Sequence, residues 1–597
     1  YNQRENYNDN LNLLGNLYLD INFLKYFQFK TNVGVNVEDS GSKEFNPKTY
    51  WNKGDANTLV NSLKEARGRK SELVWNNTLT FTKKFRETHN LNVLLGTEAI
   101  SSKIENLSAY RSNFIIEDPD YRYLDAGESN KDNTGNANEY ALFSLFARVN
   151  YQYKDKYYLG AIIRRDGSSR FGANHRYGYF PGVNAAWRLT EENFMKGQDI
   201  LSDLKIRASY GLTGNQDIDN YAFASMYYTN ISTSSYPIAG DPNSVTQGIS
   251  KESIGNPDLK WETTTQTNIG IDAGLFNNKL NLSFDFYHKY TTDILQRITY
   301  PSTGGVASAP FMNIGEMQNN GYELNINFQN TTDYGFRYEL GLILSGYRNE
   351  VKKLASNQFI SNTYTRTEVG HPISSFYGYV IDGIFQTQGE VDSHVEQSDK
   401  AIGRWKYRDV NNDGKIDSQD RAYIGNPHPD FEYSLSSRFY YKNFDLSLYI
   451  QGSQGNDICF ASKGGRDGLD FWGDYFNKST RILNTWTPEN RNAELPEINI
   501  LNPNDEAGKV SSYLIEDGSY IRLKQLELGY TLPKQTLSKI GLQQCRVYLN
   551  AENLLTLTKY NNIDPEVKNG DDKNMGVDYM NNMPLARVFS IGFNLSF

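Results

Sequence analysis

Apolar and polar residues alternate along much of this chain, in paired segments separated by short turns. Leu17, Leu19 and Ile21 occupy every second position, and after a break at residues 24–26 the alternation resumes over residues 27–37. Successive side chains of a β-strand point to opposite faces, so a period of two indicates strands with one apolar and one polar face. This first pair predicts a hairpin of two long strands on a tight turn.

The same unit recurs to the end of the chain, and it predicts about 17 strands. They are residues 11–23, 27–37, 72–84, 90–99, 141–153, 157–166, 179–189, 204–213, 264–275, 279–290, 321–330, 335–347, 431–441, 444–452, 519–531, 544–553 and 587–597. Long polar connections separate the hairpins, near 38–70, 100–139, 214–263, 291–320, 348–430, 453–518 and 554–586. Short turns at one end and long loops at the other are typical of outer-membrane barrels, whose turns are periplasmic and whose loops are extracellular.

Composition favours one membrane barrel over several soluble domains. Hydrophobic residues make up 38% of the 597 residues, and the mean hydropathy is -0.64. No apolar run approaches the roughly 18 residues of a membrane helix, whereas a transmembrane strand needs only about 9–11 residues, with alternate ones facing lipid. The sequence therefore predicts an all-β fold, a transmembrane antiparallel β-barrel that occupies residues 1–597.

The last predicted strand bears on how complete this barrel is. Phe589, Ile591, Phe593, Leu595 and Phe597 alternate with polar residues or Gly, and a strand ending in Phe resembles the signal read by the barrel-assembly machinery. If that strand ends in the periplasm, the first strand also runs inward, whereas bacterial barrels begin from the periplasm and have even strand numbers. We therefore expect missing upstream strands, with about 17 of a probable 22 present. We also expect the N-terminal plug and the signal peptide to be absent from this chain.

Several short motifs follow one another along the sequence. They are Arg164–Phe171 (RRDGSSRF), Tyr210–Gln216 (YGLTGNQ), Gly255–Glu262 (GNPDLKWE), Asn313–Gly315 with Asn319–Glu323 (NIG and NNGYE), Tyr377–Tyr379 (YGY), Asp382–Phe385 (DGIF) and Asn553–Thr556 (NLLT). Each motif is weak by itself. The ordered set spans most of the chain and resembles the SusC-like (RagA/SusC-type) family of TonB-dependent outer-membrane transporters.

The resemblance implies a function and partners. It implies TonB-dependent import of oligosaccharides or peptides across the outer membrane of a Gram-negative, Bacteroidetes-like bacterium. The chain would be the barrel subunit beneath a SusD-like surface lipoprotein, and an upstream region would contact TonB, ExbB and ExbD. A lidless TonB-dependent receptor for siderophores or cobalamin remains an alternative. So does a secreted or surface β-rich protein that binds carbohydrate or serves as structure.

The segment Asp409–Asp420 has the spacing of a calcium loop. Side-chain oxygens fall at positions 1, 3, 5, 9 and 12, and a glycine at position 6 allows a sharp turn. The predicted Ca²⁺ ligands are Asp409, Asn411, Asp413, Lys415 through its carbonyl, Asp417 through water, and Asp420. Similar loops occur in dockerins and in the SusC-like family. The predicted role is structural, to hold the 348–430 loop; the alternative is a solvated turn without an ion.

Other chemistry is sparse. The net charge of -9 comes without a basic stripe, which argues against nucleic acid as a partner. No zinc, P-loop, nucleophile-elbow or dinucleotide motif occurs, and carboxylate pairs are not singled out for glycoside hydrolysis, so we expect no enzymatic activity. Cys459 and Cys545 could pair, but two separate thiols are the expected state.

Tryptophans in the predicted loops invite two interpretations. Stacking on sugars is one, and packing among loops or at the membrane interface is the other and the favoured one. The residues are Trp51, Trp405, Trp472 and Trp486.

Overall fold

Seventeen long strands form one hydrogen-bonded sheet in the computed structural model of the chain. The structure describes residues 5–51, 55–229, 234–237, 240, 245–297, 308–355, 359–469, 477–498, 506, 508–537, 541–567, 571–580 and 583–597. The strands are β1 (Glu5–Phe23), β2 (Phe27–Asn46), β3 (Ser62–Phe85), β4 (His89–Phe114), β5 (Gly127–Tyr153), β6 (Tyr157–Ser168), β7 (Tyr177–Arg188), β8 (Leu201–Asn215), β9 (Glu262–Leu275), β10 (Leu280–Arg297), β11 (Phe311–Thr331), β12 (Arg337–Lys353), β13 (Phe431–Tyr441), β14 (Phe444–Gln454), β15 (Tyr520–Thr531), β16 (Gln544–Thr558) and β17 (Val588–Ser596). Every predicted strand is present, so the prediction of an all-β fold is confirmed.

The predicted tight turns are also confirmed. Leu24 and Lys25 between β1 and β2 have φ of 48° and 64°, and Lys154 and Asp155 between β5 and β6 have φ of 52° and 56°. Left-handed turn residues match the right-handed twist of the strands on either side, so the hairpins close without splaying.

Contacts divide the chain into two compact units. Unit 1 comprises Tyr1–Ala186, Ser209–Thr265 and Thr292–Ile314, and unit 2 comprises Trp187–Ala208, Gln266–Thr291 and Gly315–Phe597. In unit 1, β1 to β6 pair antiparallel in sequence order. In unit 2, β11 to β17 pair antiparallel in sequence order. Neighbouring strands in the chain are neighbours in the sheet, as expected when each hairpin adds to the last.

Several connections are shorter than predicted. β2 continues to Asn46 and β3 begins at Ser62, so most of the predicted 38–70 loop is strand. The predicted 100–139 loop contracts to residues 115–126, and β10 runs to Arg297 and β11 begins at Phe311, both inside the predicted 291–320 loop. The strand extensions in unit 1 carry polar side chains on both faces, and pairs such as Lys103 with Glu105 lie on them. Backbone hydrogen bonds continue the strand pairing in these extensions. The sequence does not reveal this, because apolar and polar residues do not alternate there.

Shorter elements fill the remaining connections. The short strands are Thr49–Trp51, Asp55–Thr58, Met226–Tyr228, Ser235–Pro237, Val245–Gln247, Ser250–Ser253, Ile360–Ser361, Thr365–Thr367, Ser375–Tyr379, Ile381–Ile384, Trp405–Tyr407, Arg421–Gly425, Asp457–Phe460, Ile515–Asp517 and Val577–Asp578. The α-helices are Gln388–Ser393, Lys463–Arg466 and Lys534–Leu537, and the 3₁₀ turns are Pro119–Tyr121, Leu124–Ala126, Leu189–Glu191, Asn193–Met195, Ser418–Asp420, Thr480–Asn484 and Ser512–Leu514. In the part of the chain that the structure describes, no helix is both long and apolar enough to cross a membrane.

Candidate functional site

The polar face of the strands in unit 2 carries cross-strand ion pairs. Arg207 on β8 donates from Nε to Asp272 Oδ2 at 2.8 Å, and its Nη2 lies 3.0 Å from Asp285 Oδ2. Lys205 Nζ lies 2.8 Å from the same Asp272. Gly270 leaves room for this cluster, because an added Cβ would lie 2.5 Å from Asp285 Oδ1. Charges held in this way line one face of the strands, while Ile residues of β9 occupy the other.

A second cluster of the same kind lies on β14, β15 and β16. Arg546 donates to Asp445 Oδ1 at 3.0 Å and to Glu527 Oε1 at 2.6 Å. Two carboxylates around one guanidinium leave a net negative charge here, whereas Lys205 balances the second carboxylate in the Arg207 cluster. Paired charges on one face and apolar residues on the other are what a barrel with a polar lumen requires.

The described residues of the long connections of unit 2 fold into a structured body, here called the loop module (the described residues within 354–430, 455–519 and 559–587). Ser375–Tyr379 pairs with Arg421–Gly425, and Asp457–Phe460 pairs with both Ile515–Asp517 and Val577–Asp578. A hydrophobic core of Phe376, Cys459, Val510, Leu514 and Val577 draws on all three connections. The connections therefore support one another instead of extending as separate loops.

Charged side chains are buried inside the loop module. Glu516 accepts from Lys463 Nζ at 2.9 Å and from the backbone N–H of Asn561 at 2.9 Å. Arg481 lies 3.5 Å from Glu516 and 3.1 Å from Asp467, whose side chain is fully buried. Burial raises the pKa of Glu516, but the Asn561 N–H and the two cations outweigh it and hold the pKa below its ordinary value. Two cations and two carboxylates balance, so burial leaves no net charge.

Aromatic and thiol groups of the loop module are shielded. Burial, helped by the hydrogen bond that its hydroxyl donates to Asp467, raises the pKa of Tyr513. Burial likewise raises the pKa of the Cys459 thiol. Cys459 and Cys545 are both buried and free, so the prediction of two separate thiols is confirmed.

The tryptophans are placed for packing where the structure describes them. Trp405 belongs to a buried cluster with Tyr379, Tyr407 and Leu469, and its ring centroid lies 4.8 Å from that of Tyr513. Trp486 is buried and donates from Nε1 to Gln386 Oε1 at 3.0 Å. Neither ring is exposed for a sugar to stack on. Trp472 and the side chain of Trp51 lie outside the described residues.

The segment Asp409–Asp420 forms the predicted sharp turn. Asp409 Oδ2 accepts from Gly414 N at 2.9 Å, and Asn411 Oδ1 accepts from Asp413 N at 3.0 Å. Gly414 at position 6 has a φ of +88°, which favours glycine. The turn is held against the chain at Glu396, whose carbonyl accepts from Ile416 N at 2.7 Å.

The carboxylates at the end of that segment have protein partners. Asp417 Oδ2 lies 2.8 Å from Lys415 Nζ. Buried Asp420 accepts from Val410 N at 2.9 Å and from Asp417 N at 2.7 Å. Among the described residues, no three His, Cys, Asp or Glu side chains are grouped as metal ligands. The oxygens of Asp409, Asn411 and Asp413 fit a calcium turn, whereas Asp420 would have to exchange a hydrogen bond for the ion; calcium stays a prediction.

Comparison with known proteins assigns the family. The family model described as "TonB dependent receptor-like, beta-barrel" matches residues 1–554. The chain belongs to the TonB-dependent receptor family. TonB-dependent receptor P3 of Formosa agariphila is 34% identical over 599 residues, which cover 98% of this chain and 58% of that protein. TonB-dependent receptor SusC of Bacteroides thetaiotaomicron is 31% identical over 487 residues, covering 78% of this chain and 45% of SusC.

Solved structures place this TonB-dependent receptor in the SusC-like branch. The structure of the RagAB peptide transporter superposes with a TM-score of 0.83 at 26% identity, and the match covers 100% of this chain and 63% of that one. The matches thus cover between 45% and 63% of the length of these relatives. As a member of this SusC-like branch, the protein is an outer-membrane β-barrel of a Gram-negative bacterium. The alternative of a secreted or surface β-rich protein that binds carbohydrate or serves as structure is therefore not favoured.

Sequence reasoning missed the charges that the structure brings together in this SusC-like chain. Lys463, Asp467, Arg481 and Glu516 lie in segments without periodicity, and only the fold makes them neighbours. For Arg207 a signal existed. Its position on the polar face follows from the alternation on β8, opposite strands that carry Asp272 and Asp285 at polar positions.

Proposed function

We propose that the full-length protein imports oligosaccharides or peptides across the outer membrane, powered by TonB. The observation that carries the proposal is that all of this chain superposes on a protein of the RagAB peptide transporter, while it shares 31% identity with SusC. The charged polar face supports it, because a lumen lined by paired charges stays hydrated and admits polar solutes. Relatives that are transporters also support the absence of enzymatic activity.

The proposal includes partners. A SusD-like surface lipoprotein would cap the barrel, and TonB with ExbB and ExbD would drive transport through a plug in the full-length protein. The loop module supports a lid, because a body with its own hydrophobic core offers a fixed surface on which a second protein can dock. A lidless siderophore or cobalamin receptor is the less favoured alternative.

Uptake in cells tests the function. Cells that carry the full-length protein, and matched cells that lack it, receive fluorescent oligosaccharides and peptides with and without a proton uncoupler. Uncoupler-sensitive uptake of one class, only in the first cells, is expected. Purification in detergent should yield one lipoprotein per barrel with the same class of cargo bound. A solitary barrel that carries an iron chelate or a corrinoid would instead establish the lidless alternative.

We also propose that Ca²⁺ stabilises the loop module through Asp409, Asn411, Asp413, the carbonyl of Lys415, Asp420 and a water on Asp417. The existing turn supports this, since three of these side chains already converge on the loop's own N–H groups. Bound calcium would neutralise the carboxylates and hold the turn closed.

Proteolysis with and without a chelator tests the calcium proposal. We expect calcium to protect residues 348–430 in the unmutated protein and to lose that effect in Asp413→Ala. The matched control is Asp392→Ala, on the exposed helix Gln388–Ser393 of the same connection, where the calcium effect should persist. Equal cleavage with calcium and with chelator in the unmutated protein would show that the segment is a plain turn.

A further inference from the structure

The side chain of Arg165 lies on the apolar face of unit 1. Arg165 on β6 pairs with Leu145 on β5, and its neighbours two positions away on that face are Ile163 and Gly167. The adjacent residue Arg164 lies on the opposite, polar face, where it bonds Glu98 and Asp166. A charged side chain on a lipid-facing surface needs a polar partner, either at the membrane border or on the protein.

The Arg165 side chain is oriented but not neutralised. Its guanidinium carbon lies 3.8 Å from the centroid of the Tyr177 ring and 5.9 Å from that of Tyr179. Its Nε is buried and has no hydrogen-bond partner among the described residues. Stacking on tyrosine fixes the plane of the guanidinium while its N–H groups remain able to bind an anion, and a phosphate matches this planar donor set.

An apolar groove of about 530 Å³ lies beside Arg165. Leu79, Leu95, Ala147 and Ile163 face one another in register across β3 to β6 and form its floor. Ala147 is much smaller than its neighbours Leu95 and Ile163, which leaves a depression between them. Leu145 and Tyr179 complete the lining next to Arg165. An anion-binding group at one end of an apolar groove matches a molecule with a phosphate and a hydrocarbon chain.

The height of Arg165 selects one membrane leaflet. Arg165 lies eight residues after Tyr157, where β6 leaves its short turn. With a rise of about 3.3 Å per residue and a strand tilt near 40°, this is roughly 20 Å along the membrane normal, close to the far border of an apolar band of about 25 Å. With short turns on the periplasmic side, that border is the outer leaflet.

We propose that this groove binds one acyl chain of a phosphorylated outer-leaflet glycolipid, a lipid A, and that Arg165 pairs with its phosphate. The acyl chain fills the depression over Ala147, and the phosphate sits beside the Arg165 guanidinium, which is stacked on Tyr177. The site lies on the outer wall and is separate from any solute path through the lumen, so it would anchor the barrel in its membrane.

Lipid retention tests the site. The full-length protein is reconstituted in nanodiscs of phosphatidylethanolamine with a small fraction of bis-phosphorylated lipid A, extracted with mild detergent, and analysed by native mass spectrometry. One retained lipid A per barrel is expected, with at least tenfold less in Arg165→Gln. Ala147→Phe, which fills the groove, should lose both bis-phosphorylated and dephosphorylated lipid A, whereas Arg165→Gln should lose only the preference for phosphate.

Lys83 provides a control, because its side chain lies on the same face as Arg165 but near the short turns. Lys83 Nζ is 4.7 Å from the Tyr26 ring and 4.8 Å from the Phe85 ring, and Lys83→Gln should retain lipid A as the unmutated protein does. Equal retention in Arg165→Gln and the unmutated protein, or equal loss in Lys83→Gln, would overturn the proposal. The proposal would also be overturned if the barrel retained phosphatidylglycerol in preference to lipid A. The same holds if millimolar inorganic phosphate alone displaced the lipid, since the acyl chain would then contribute nothing to binding. Heat-modifiable gel mobility checks folding, and solute uptake is scored separately.

Discussion

Glu516→Gln should loosen the loop module, because Glu516 is the carboxylate on which two cations converge. Lys463 Nζ lies 2.9 Å from it, and the Lys463 side chain is only 9% exposed. The amide still accepts the Asn561 N–H but no longer neutralises Lys463. One carboxylate, Asp467, then remains for two cations.

The cost follows from burial. Removing one partner of a buried ion pair destabilises a protein by about 3–5 kcal/mol, since the other charge stays desolvated. We take the lower end, about 3 kcal/mol, because glutamine keeps the shape and one hydrogen bond of the site. At about 1.4 kcal/mol per tenfold change, the open form of the module should become on the order of 100 times more populated.

Hydrogen exchange in detergent at neutral pH measures that change. The amides of Cys459 and Ala461, which bond Gly576 and Asp578 across two connections, are the reporters. Asp517→Asn is the matched control, because the neighbouring Asp517 forms an exposed pair with Lys559 at 3.7 Å. Such pairs contribute about 0–1 kcal/mol, so exchange should barely change. Equal exchange in the two variants would refute the argument that Glu516 supports the module.

The same carboxylate predicts a pH dependence. Its pKa in the folded protein lies below the ordinary value of 4.5. The stabilisation is therefore present above about pH 4.5 and is lost as the pH falls through the lower, folded value. The protection factor of the Cys459 amide should fall in that acidic range in the unmutated protein, and the fall should be weaker in Glu516→Gln.

Three further predictions concern the strands and the core. Phe593→Asp, on the exposed apolar face of β17, should lower membrane yield severalfold, since burying Phe in lipid contributes about 2 kcal/mol; Asn594→Asp, paired in register with Arg546, should insert normally. Trp405→Ala should cost about 3–5 kcal/mol and expose residues 381–407 to protease, because the ring is buried against Tyr513. Arg207→Gln leaves Asp272 and Asp285 with Lys205 alone, so the temperature at which gel mobility changes should fall; unchanged mobility would show that the cluster does not stabilise the sheet.

The strands could be predicted because lipid and lumen impose a period of two on the sequence. That signal marks only the part of each strand with an apolar face. β2 runs past residue 37, and β3 begins before residue 72. In these extensions Asp39 pairs with Arg69, and the side chains on both faces are polar. Sequence alternation therefore finds each strand but misplaces the end away from the tight turn.

The turn at Asp409–Asp420 could be predicted because a single local requirement, a left-handed residue at position 6, selects Gly414. The loop module could not. Its core takes single residues such as Phe376, Cys459 and Val577 from three distant segments, and no segment has a helical or strand period. Isolated apolar residues in polar loops have no pattern from which packing partners could be inferred.

That architecture has a consequence for how the connections of unit 2 can move. Tyr379 N bonds the carbonyl of Val510, Thr365 Oγ1 bonds the carbonyl of Lys573, and Cys459 N bonds the carbonyl of Gly576. Each connection thus depends on both others for backbone partners as well as for core contacts. Local opening of one would leave buried polar groups unpaired in the rest, so the three should open together as a cooperative unit. A lid that docks on this surface would meet one rigid body, and its opening would have to come from the lid itself.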